Sequence, residues 1–357
     1  MSPASPAPDG WKRALLLAGA TLLAVALSVL AITPKLVPWR EHPLVYETTK
    51  VEPMTAQLVD PTGWEKIYLT QADFNGIQAI RWRLLPPVLG NVLGMSPHVY
   101  FTQPWLGLLV LVALSMHYAL GRDATWLESL GLGVLIGTSS AFFSASCAVG
   151  YFDPLYIIPL LVVCYTPSPV LLLAACLAGP WVDEKFLFML PACGLVRWSW
   201  KPETRWIWYA VAGIAPYCLM RVVALAMGDS SFSRQISMQG AMFWNYAPAL
   251  PAGWWYGFRT GWVLILAGLW FTTRRLEPRL RWLLPAALVA AIGSISFFAW
   301  DTTRSIAMLL PLMLLGLQPG PWRKIVPGLA LLNLFLPAAY VWCGMPVTVQ
   351  LKSILSR

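Results

Sequence analysis

Four groups of charged residues adjoin long apolar runs, and their side chains are suited to acid–base and phosphate chemistry. A carboxylate can remove the proton from a hydroxyl group, and the planar guanidinium of arginine matches the oxygens of a phosphate. A protein that moves a group from a phosphate-linked donor to a hydroxyl needs both. The four groups are Asp73 with Arg81 and Arg83, Phe152-Asp153-Pro154, Asp183-Glu184-Lys185, and Trp300-Asp301-Thr302-Thr303-Arg304.

Each group also has a purely structural interpretation. Asp183, Glu184 and Lys185 would form a turn between two helices, since a charged side chain inside hydrocarbon costs at least ~2.5 kcal/mol. Asp153 and Asp301 would cap helix N-termini, where a carboxylate is stabilised by the helix dipole. The arginines beside Trp82 would extend toward lipid headgroups. The alternative is that these charges face one wet cavity.

The composition indicates a polytopic membrane protein. Of the 357 residues, 58% are hydrophobic and 11% are charged, with a mean hydropathy of +0.62. A chain with so few polar residues cannot cover a soluble surface. The net charge of +9 is therefore interpreted as a signal of membrane topology, and no nucleic-acid partner is expected.

The cysteines and histidines argue against zinc and redox chemistry. The six cysteines lie singly in apolar segments, without a C-x-x-C pair, and the three histidines are scattered. The sequence leaves open whether a site built on carboxylates also binds a metal, and a divalent cation such as Mg²⁺ or Mn²⁺ is one possible cofactor.

The apolar runs predict an all-α fold with about eleven transmembrane spans in one membrane domain, residues 1–357. Residues 1–13 would be a cytoplasmic tail, and the first span, 14–32, a retained anchor. A long outer loop, 33–101, mixes aromatic residues with charge and predicts interfacial amphipathic helices. The helix bundle would occupy 102–342, with the last span at 325–342 and a C-terminal tail at 343–357.

Lysine and arginine alternate with acids from one predicted loop to the next. Because basic residues gather in short cytoplasmic loops, the N-terminus is expected in the cytoplasm and the acid-bearing loops outside. The basic loops carry Lys12-Arg13, Arg122, Arg197/Lys201/Arg205, Arg274/Arg275/Arg279/Arg281 and Arg323-Lys324, and the acid-bearing ones Asp153, Asp183-Glu184, Asp229 and Asp301.

The outer stretch 229–259 is rich in aromatic residues and also contains Arg234. Trp254 and Trp255 there suit an interfacial aromatic belt. Alternatively, their rings would stack on a sugar or flank a lipid headgroup.

This layout resembles the integral-membrane glycosyltransferases of the GT-C superfamily, particularly bacterial polyprenyl-phosphate-dependent mannosyl- and arabinosyltransferases. The resemblance lies in the long first outer loop ending in Arg81-Trp82-Arg83, in Phe152-Asp153, in Asp183-Glu184-Lys185, and in Trp300 to Arg304. It implies transfer of a sugar from a polyprenyl-phosphate donor to a glycan or lipid acceptor, on the outer face of a bacterial plasma membrane.

The resemblance also implies roles for individual residues. Asp73 would be the base, chosen by position because no Asp-Asp or Asp-Glu pair directly follows the first helix. Asp183 and Glu184 would be the supporting catalytic acids. Donor and acceptor contacts would come from Arg81, Arg83, Lys185, Arg234, Trp254, Trp255, Asp301 and Arg304.

Three other functions suit the same sequence. An O-antigen polymerase or ligase handles similar lipids but would be expected to carry arginines and a histidine in large outer loops. A transporter or flippase is often built from internal repeats, and none can be aligned here. A scaffold without chemistry is the third alternative.

The topology can be tested with reporter fusions. We expect fusions at Lys201 and Glu277 to report a cytoplasmic location, because each lies in a loop with several basic residues. A fusion at Asp229 should report the outer side. A cytoplasmic signal at Asp229 would contradict this topology.

Overall fold

The computed structural model describes residues 10–32, 53–61, 82–142, 152–228, 240, 243–298, 302–317, 321–336, 338–342 and 345–349. These residues are predominantly helical, which confirms the predicted helical fold. The α-helices are α1 (Gly10–Ile32), α2 (53–59), α3 (Leu85–Val92), α4 (Pro97–Leu120), α5 (Trp126–Gly137), α6 (Asp153–Tyr165), α7 (Pro169–Val182), α8 (Lys185–Trp198), α9 (Arg205–Ala226), α10 (Leu250–Phe258), α11 (Trp262–Arg275), α12 (Leu283–Phe298), α13 (Thr302–Ser305), α14 (Leu310–Leu315), α15 (Pro321–Lys324) and α16 (Val326–Phe335).

The C-terminal part of the predicted bundle is not a single helix. The last predicted span, 325–342, was wrong, because α16 ends at Phe335 and a hairpin of β1 (Ala338–Trp342) and β2 (Met345–Val349) follows. Leu336 is extended, with φ −69° and ψ 140°. The residue after it in the sequence is a proline, which disfavours the helical conformation of the residue before it.

The most buried element is the helical rod 302–315. It consists of α13, a 3₁₀ turn at Ile306–Leu309, and α14, and its residues are buried on every side. A helix that is apolar all round has no face for water and must lie inside its neighbours. The rod carries the polar residues Thr302, Thr303, Arg304 and Ser305 only in its first turn, so its charged end is at its N-terminus.

Helix α6 lies between α4, α7 and α8 and also contacts the rod. At its C-terminal end, Arg197 of α8 donates hydrogen bonds to the carbonyls of Val163 and Thr166. The Tyr118 ring of α4 stacks on Tyr165 at the same end, with the centroids 4.4 Å apart. The N-terminus of α6, which carries Asp153, is therefore at the opposite end of the bundle.

An ion pair between Glu128 and Arg323 joins the start of α5 to α15 and to the chain that follows α4. Thr125 and Glu128 form a reciprocal capping box at the start of α5. Glu128 also pairs with Arg323 at 3.3 Å, and Arg323 donates to the carbonyls of Arg122 and Asp123. The side chains of Arg197 and Arg323 thus satisfy backbone carbonyls at the C-terminal ends of α6 and α4.

Two described helices, α4 and α9, are long and apolar enough to cross a membrane. Shorter apolar helices accompany them, including α5, α6, α7 and α12. At a rise of 1.5 Å per residue, the 13 residues of α6 extend over only about 20 Å.

Helices α11 and α14 approach so closely that their contact requires glycine. A Cβ atom at Gly268 would overlap the carbonyl oxygen of Leu312, and one at Gly316 would overlap that of Leu264. We expect Gly268→Ala to destabilise the protein by about 1–3 kcal/mol, because backbone atoms must move apart. Thermal unfolding in detergent micelles measures this.

Gly293→Ala is the matched control, because Gly293 also lies in a helix and a Cβ there meets nothing within 4 Å. It should leave stability unchanged or raise it by up to about 1 kcal/mol. Equal unfolding temperatures for the two variants would contradict the close packing of α11 on α14.

Candidate functional site

The α7–α8 junction places three charged residues next to each other. Helix α7 ends at Val182 because Asp183 is extended, with φ −158° and ψ 131°. One oxygen of the Asp183 side chain then accepts the backbone N–H of Lys185 at 3.0 Å, which satisfies one of the unpaired N–H groups at the start of α8. This geometry turns the Asp183 carboxylate inward, toward the N-terminus of α6.

An ion network links this junction to α6. The Lys185 ammonium lies 3.0 Å from Asp153 Oδ1 and 3.6 Å from Asp183 Oδ2. The second oxygen of Asp153 lies 3.5 Å from Arg304 Nη1, at the start of the rod. Asp153 therefore connects one lysine and one arginine from two different helices.

Arg83 closes the network on its other side. Its Nη2 lies 3.2 Å from Asp183 Oδ2 and 3.3 Å from Glu184 Oε1. Arg83 directly precedes Leu84 and α3, at the end of the predicted outer loop. We call these six residues the ion cluster, which contains Arg83, Asp153, Asp183, Glu184, Lys185 and Arg304.

The ion cluster is charge-balanced and mostly buried. Three carboxylates face three cations, so its formal charge is zero. The Asp153 side chain is 1% exposed, whereas that of Glu184 is 33% exposed. Burying ions requires good pairing, since each ion loses several kcal/mol of hydration. The exposure gradient makes Glu184 the carboxylate that an external molecule can reach.

The charges at the α7–α8 junction hold Asp183 ionised. Burial alone would raise the pKa of the Asp183 carboxyl, but attraction from the three surrounding cations outweighs burial and lowers it below its ordinary value. Burial likewise opposes the charge of Arg83, while Asp183 and Glu184 raise the pKa of Arg83 above its ordinary value. Both groups are therefore charged at neutral pH.

Aromatic rings lie near two members of the cluster, Lys185 and Arg83. The Tyr156 ring, one turn after Asp153 on α6, lies 5.7 Å from the Lys185 ammonium. Its hydroxyl is buried and has no hydrogen-bond partner among the described residues. On the Arg83 side, the Arg221 guanidinium of α9 stacks over the Trp82 ring at 4.4 Å.

The structure brings together five residues that the sequence analysis assigned to the site, namely Arg83, Asp183, Glu184, Lys185 and Arg304. Asp183 and Glu184 do form the turn between α7 and α8, and Lys185 pairs with Asp183, as the structural interpretation predicts; but Asp183 is buried, whereas a simple turn would expose it. Asp73, Arg81, Arg234 and Asp301 lie outside the described residues.

The two tryptophans assigned to substrate contacts lie on α10. Trp254 donates its indole N–H to Ser296, and its carbonyl accepts the indole N–H of Trp262, so it ties α10 to α12 and α11. Trp255 is half exposed. Helix α10 packs against α13, the helix that carries Arg304.

Asp153 was considered in the sequence analysis but was left out of the predicted site residues. Its position before Pro154 suits a helix cap. In the structure, however, Asp153 is the first residue of α6, and the residue at the cap position is Phe152, which makes no capping hydrogen bond. The signal that pointed to it was its predicted location on the same face as the Asp183 group. Only the tertiary structure pairs it with Lys185.

The described residues present no group of three His, Cys, Asp or Glu side chains placed to share a metal ion. The carboxylates of the ion cluster instead have nitrogen donors as neighbours. The arrangement can hold the Asp183 carboxylate ionised next to the partly exposed Glu184, and Arg83 contacts and orients both carboxylates.

Neither protein-family models, nor curated proteins, nor solved structures give a match to this chain. The functional argument therefore depends on the geometry of the ion cluster.

Removing one charge from the buried part of the cluster should destabilise the protein. Asp153→Asn leaves Lys185 and Arg304 with less compensation, and breaking a buried pair in this way costs about 3–5 kcal/mol. We expect a clearly lower unfolding temperature for purified Asp153→Asn in detergent.

Asp123→Asn is the control. Asp123 is exposed at the other end of the bundle and has a φ of 59°, which asparagine tolerates well. It should unfold like the wild type. Wild-type stability of Asp153→Asn would contradict the buried pairing.

Proposed function

We propose that the protein is a polytopic membrane glycosyltransferase that transfers a sugar from a polyprenyl-phosphate donor to a glycan or lipid acceptor. The observation that carries the proposal is the convergence of Arg83, Asp183, Glu184 and Arg304, from separate segments, at one end of the bundle. Carboxylates for proton removal and guanidinium groups for phosphate are the groups that this reaction needs.

Membrane insertion is supported by the surface of α9. Most residues of this apolar helix are exposed at the surface of the described structure. Trp208, Leu219 and Val222 are among the large apolar side chains that it exposes. The core helix of a soluble protein would be mostly buried, whereas exposed apolar surface of this extent is suited to lipid. In the proposed topology of about eleven spans, the ion cluster lies at the outer end, in the plasma membrane of a bacterium.

The burial gradient of the ion cluster divides the roles of its acids. Asp183 is enclosed and held ionised, so it suits a supporting acid that orients Arg83 and Lys185. Glu184 is partly exposed, and its one ion pair within the described residues is with Arg83. We assign Glu184 to the acceptor side of the site, and keep Asp73 of the outer loop as the proposed base.

The donor phosphate would approach the cluster from the Glu184 side, where the Arg83 side chain is 14% exposed, and Arg304 lies deeper, with its side chain 8% exposed. Arg83 and Arg304 are the two described arginines of the cluster, and Arg81 would extend the cationic surface from the outer loop. A phosphate that displaces Glu184 from Arg83 would free this carboxylate while replacing its charge. Arginine suits this exchange because its planar fork can hold two oxygens at once.

A second candidate function is transport or flipping of a lipid-linked saccharide. The observation in its favour is the almost complete burial of the Asp153–Lys185 pair, since ionisable pairs inside membrane bundles often mark transport pathways. A flippase would move a fluorescent polyprenyl-phosphate lipid across proteoliposomes without consuming it. A transferase would release polyprenyl phosphate.

The transferase can be tested with amide variants in membranes that express the chain. Polyprenyl-phosphate-linked radiolabelled mannose or arabinose would be supplied, and label in the endogenous glycans and lipids measured. We expect Glu184→Gln and Asp73→Asn each to lower transfer, and the true base to lower turnover by about 100-fold or more. The orienting acid should chiefly raise KM.

Glu203→Gln is the matched control, because Glu203 pairs with Lys201 on the basic side of the bundle. It should transfer sugar like the wild type. Wild-type transfer by the Asp73, Asp183 and Glu184 amide variants alike would contradict a transferase that works through these acids.

A further inference from the structure

The ammonium of Lys185 occupies the space between two carboxylates, where a bridging divalent cation would be expected. It lies 3.0 Å from Asp153 Oδ1 and 3.6 Å from Asp183 Oδ2, and the face of the Tyr156 ring is 5.7 Å away. Mg²⁺ binds carboxylate oxygens at about 2.0–2.1 Å and demands six ligands in a regular arrangement. The lysine side chain leaves no room for that arrangement between the same two oxygens.

The remaining carboxylate oxygens are also engaged. Asp183 Oδ1 accepts the N–H of Lys185, and Asp183 Oδ2 faces Arg83 Nη2 at 3.2 Å. Asp153 Oδ2 makes no hydrogen bond among the described residues, but it forms an ion pair with Arg304 Nη1 at 3.5 Å. Metal ligands would have to abandon these partners. A divalent ion would also change the formal charge of the cluster from zero to plus two, in a buried site.

We propose that the Lys185 ammonium is the resident cation of this site, so that the protein holds Asp153 and Asp183 together without Mg²⁺ or Mn²⁺. This inference rests on the proposed function only for what the site is used for; the identity of the cation follows from the contacts. An ammonium group suits the position because it is a compact charge with three N–H donors, and the geometry provides two carboxylates and an aromatic face around it.

The buried Tyr156 hydroxyl is a polar group near Lys185 whose hydrogen bond is not supplied by the lysine. It has no hydrogen-bond partner among the described residues, although its side chain is fully buried beside Asp153 and Lys185. A buried hydroxyl of this kind is normally satisfied by a water molecule or a ligand. Removal of the lysine should leave the oxygens of Asp153 and Asp183 around a vacated space that the Tyr156 ring borders.

The first experiment uses the full-length wild-type protein in detergent. Mn²⁺ binding is followed by electron paramagnetic resonance, and thermal unfolding is measured with MnCl₂, with MgCl₂ and with EDTA. The expected result is an unfolding temperature that neither metal nor chelator changes. Saturable Mn²⁺ binding that is present in the wild type and absent from Asp153→Asn would overturn the proposal.

The second experiment compares Lys185→Ala with Lys185→Arg. The alanine variant leaves three carboxylates against two arginines, so Mn²⁺ should bind and raise its unfolding temperature by roughly 2–4 °C. This rise should vanish in the Lys185→Ala/Asp153→Asn double variant. Lys185→Arg keeps the positive charge, so its unfolding temperature should not change with Mn²⁺. The same result is expected for the control Lys201→Ala, which removes a lysine at the opposite end of the bundle.

An unfolding temperature of Lys185→Ala that does not respond to Mn²⁺ would overturn the equivalence of ammonium and metal at this position. If Lys185→Ala does not fold, the wild-type titration and Lys185→Arg still decide the question, because a Mn²⁺ response in either contradicts the proposal. None of these measurements depends on sugar transfer. A failed transferase assay and a failed metal test are therefore separate results.

Discussion

The ion pair between Asp153 and Lys185 is the contact on which the described fold most depends. It joins the N-termini of α6 and α8 inside the bundle, and each partner holds a second charge, Arg304 for Asp153 and Asp183 for Lys185. A single charge at this depth would be strongly unfavourable, whereas the alternating arrangement compensates every ion. The helices that carry these charges must therefore keep their relative positions, since a shift of any one leaves its ion without a partner.

The same cluster connects the interior of the protein with its surface. Asp153 and Lys185 are enclosed, Arg83 is mostly covered, and Glu184 is the most exposed of the three carboxylates. Structural and chemical roles are thereby separated by depth. The enclosed members fix the geometry, and in the proposed function the outer members would exchange partners with the substrate, because ionic interactions cost less to break near water.

A different buried arginine shows that the carboxylates are not needed merely to bury positive charge. Arg259 is almost fully buried, and it donates to the carbonyls of Asn333 and Leu336 at 2.8 and 2.7 Å and to that of Thr138. These carbonyls belong to the C-terminal ends of α5 and α16, where the helix dipoles are negative. Carbonyl groups therefore suffice for that arginine, and no carboxylate pairs with it in the described part of the chain.

The sequence by itself determined the helical class and five of the charged residues in the cluster. Apolar runs of fixed length and the charges at their ends carry that information locally. The tertiary structure alone decided that Asp153 pairs with Lys185, 32 positions away, and that Asp183 is enclosed while Glu184 is not. It also showed that the chain after Phe335 forms a hairpin. These features depend on which helix ends meet in space, and the hydrophobic pattern of a single segment is the same whichever neighbour its charged end faces.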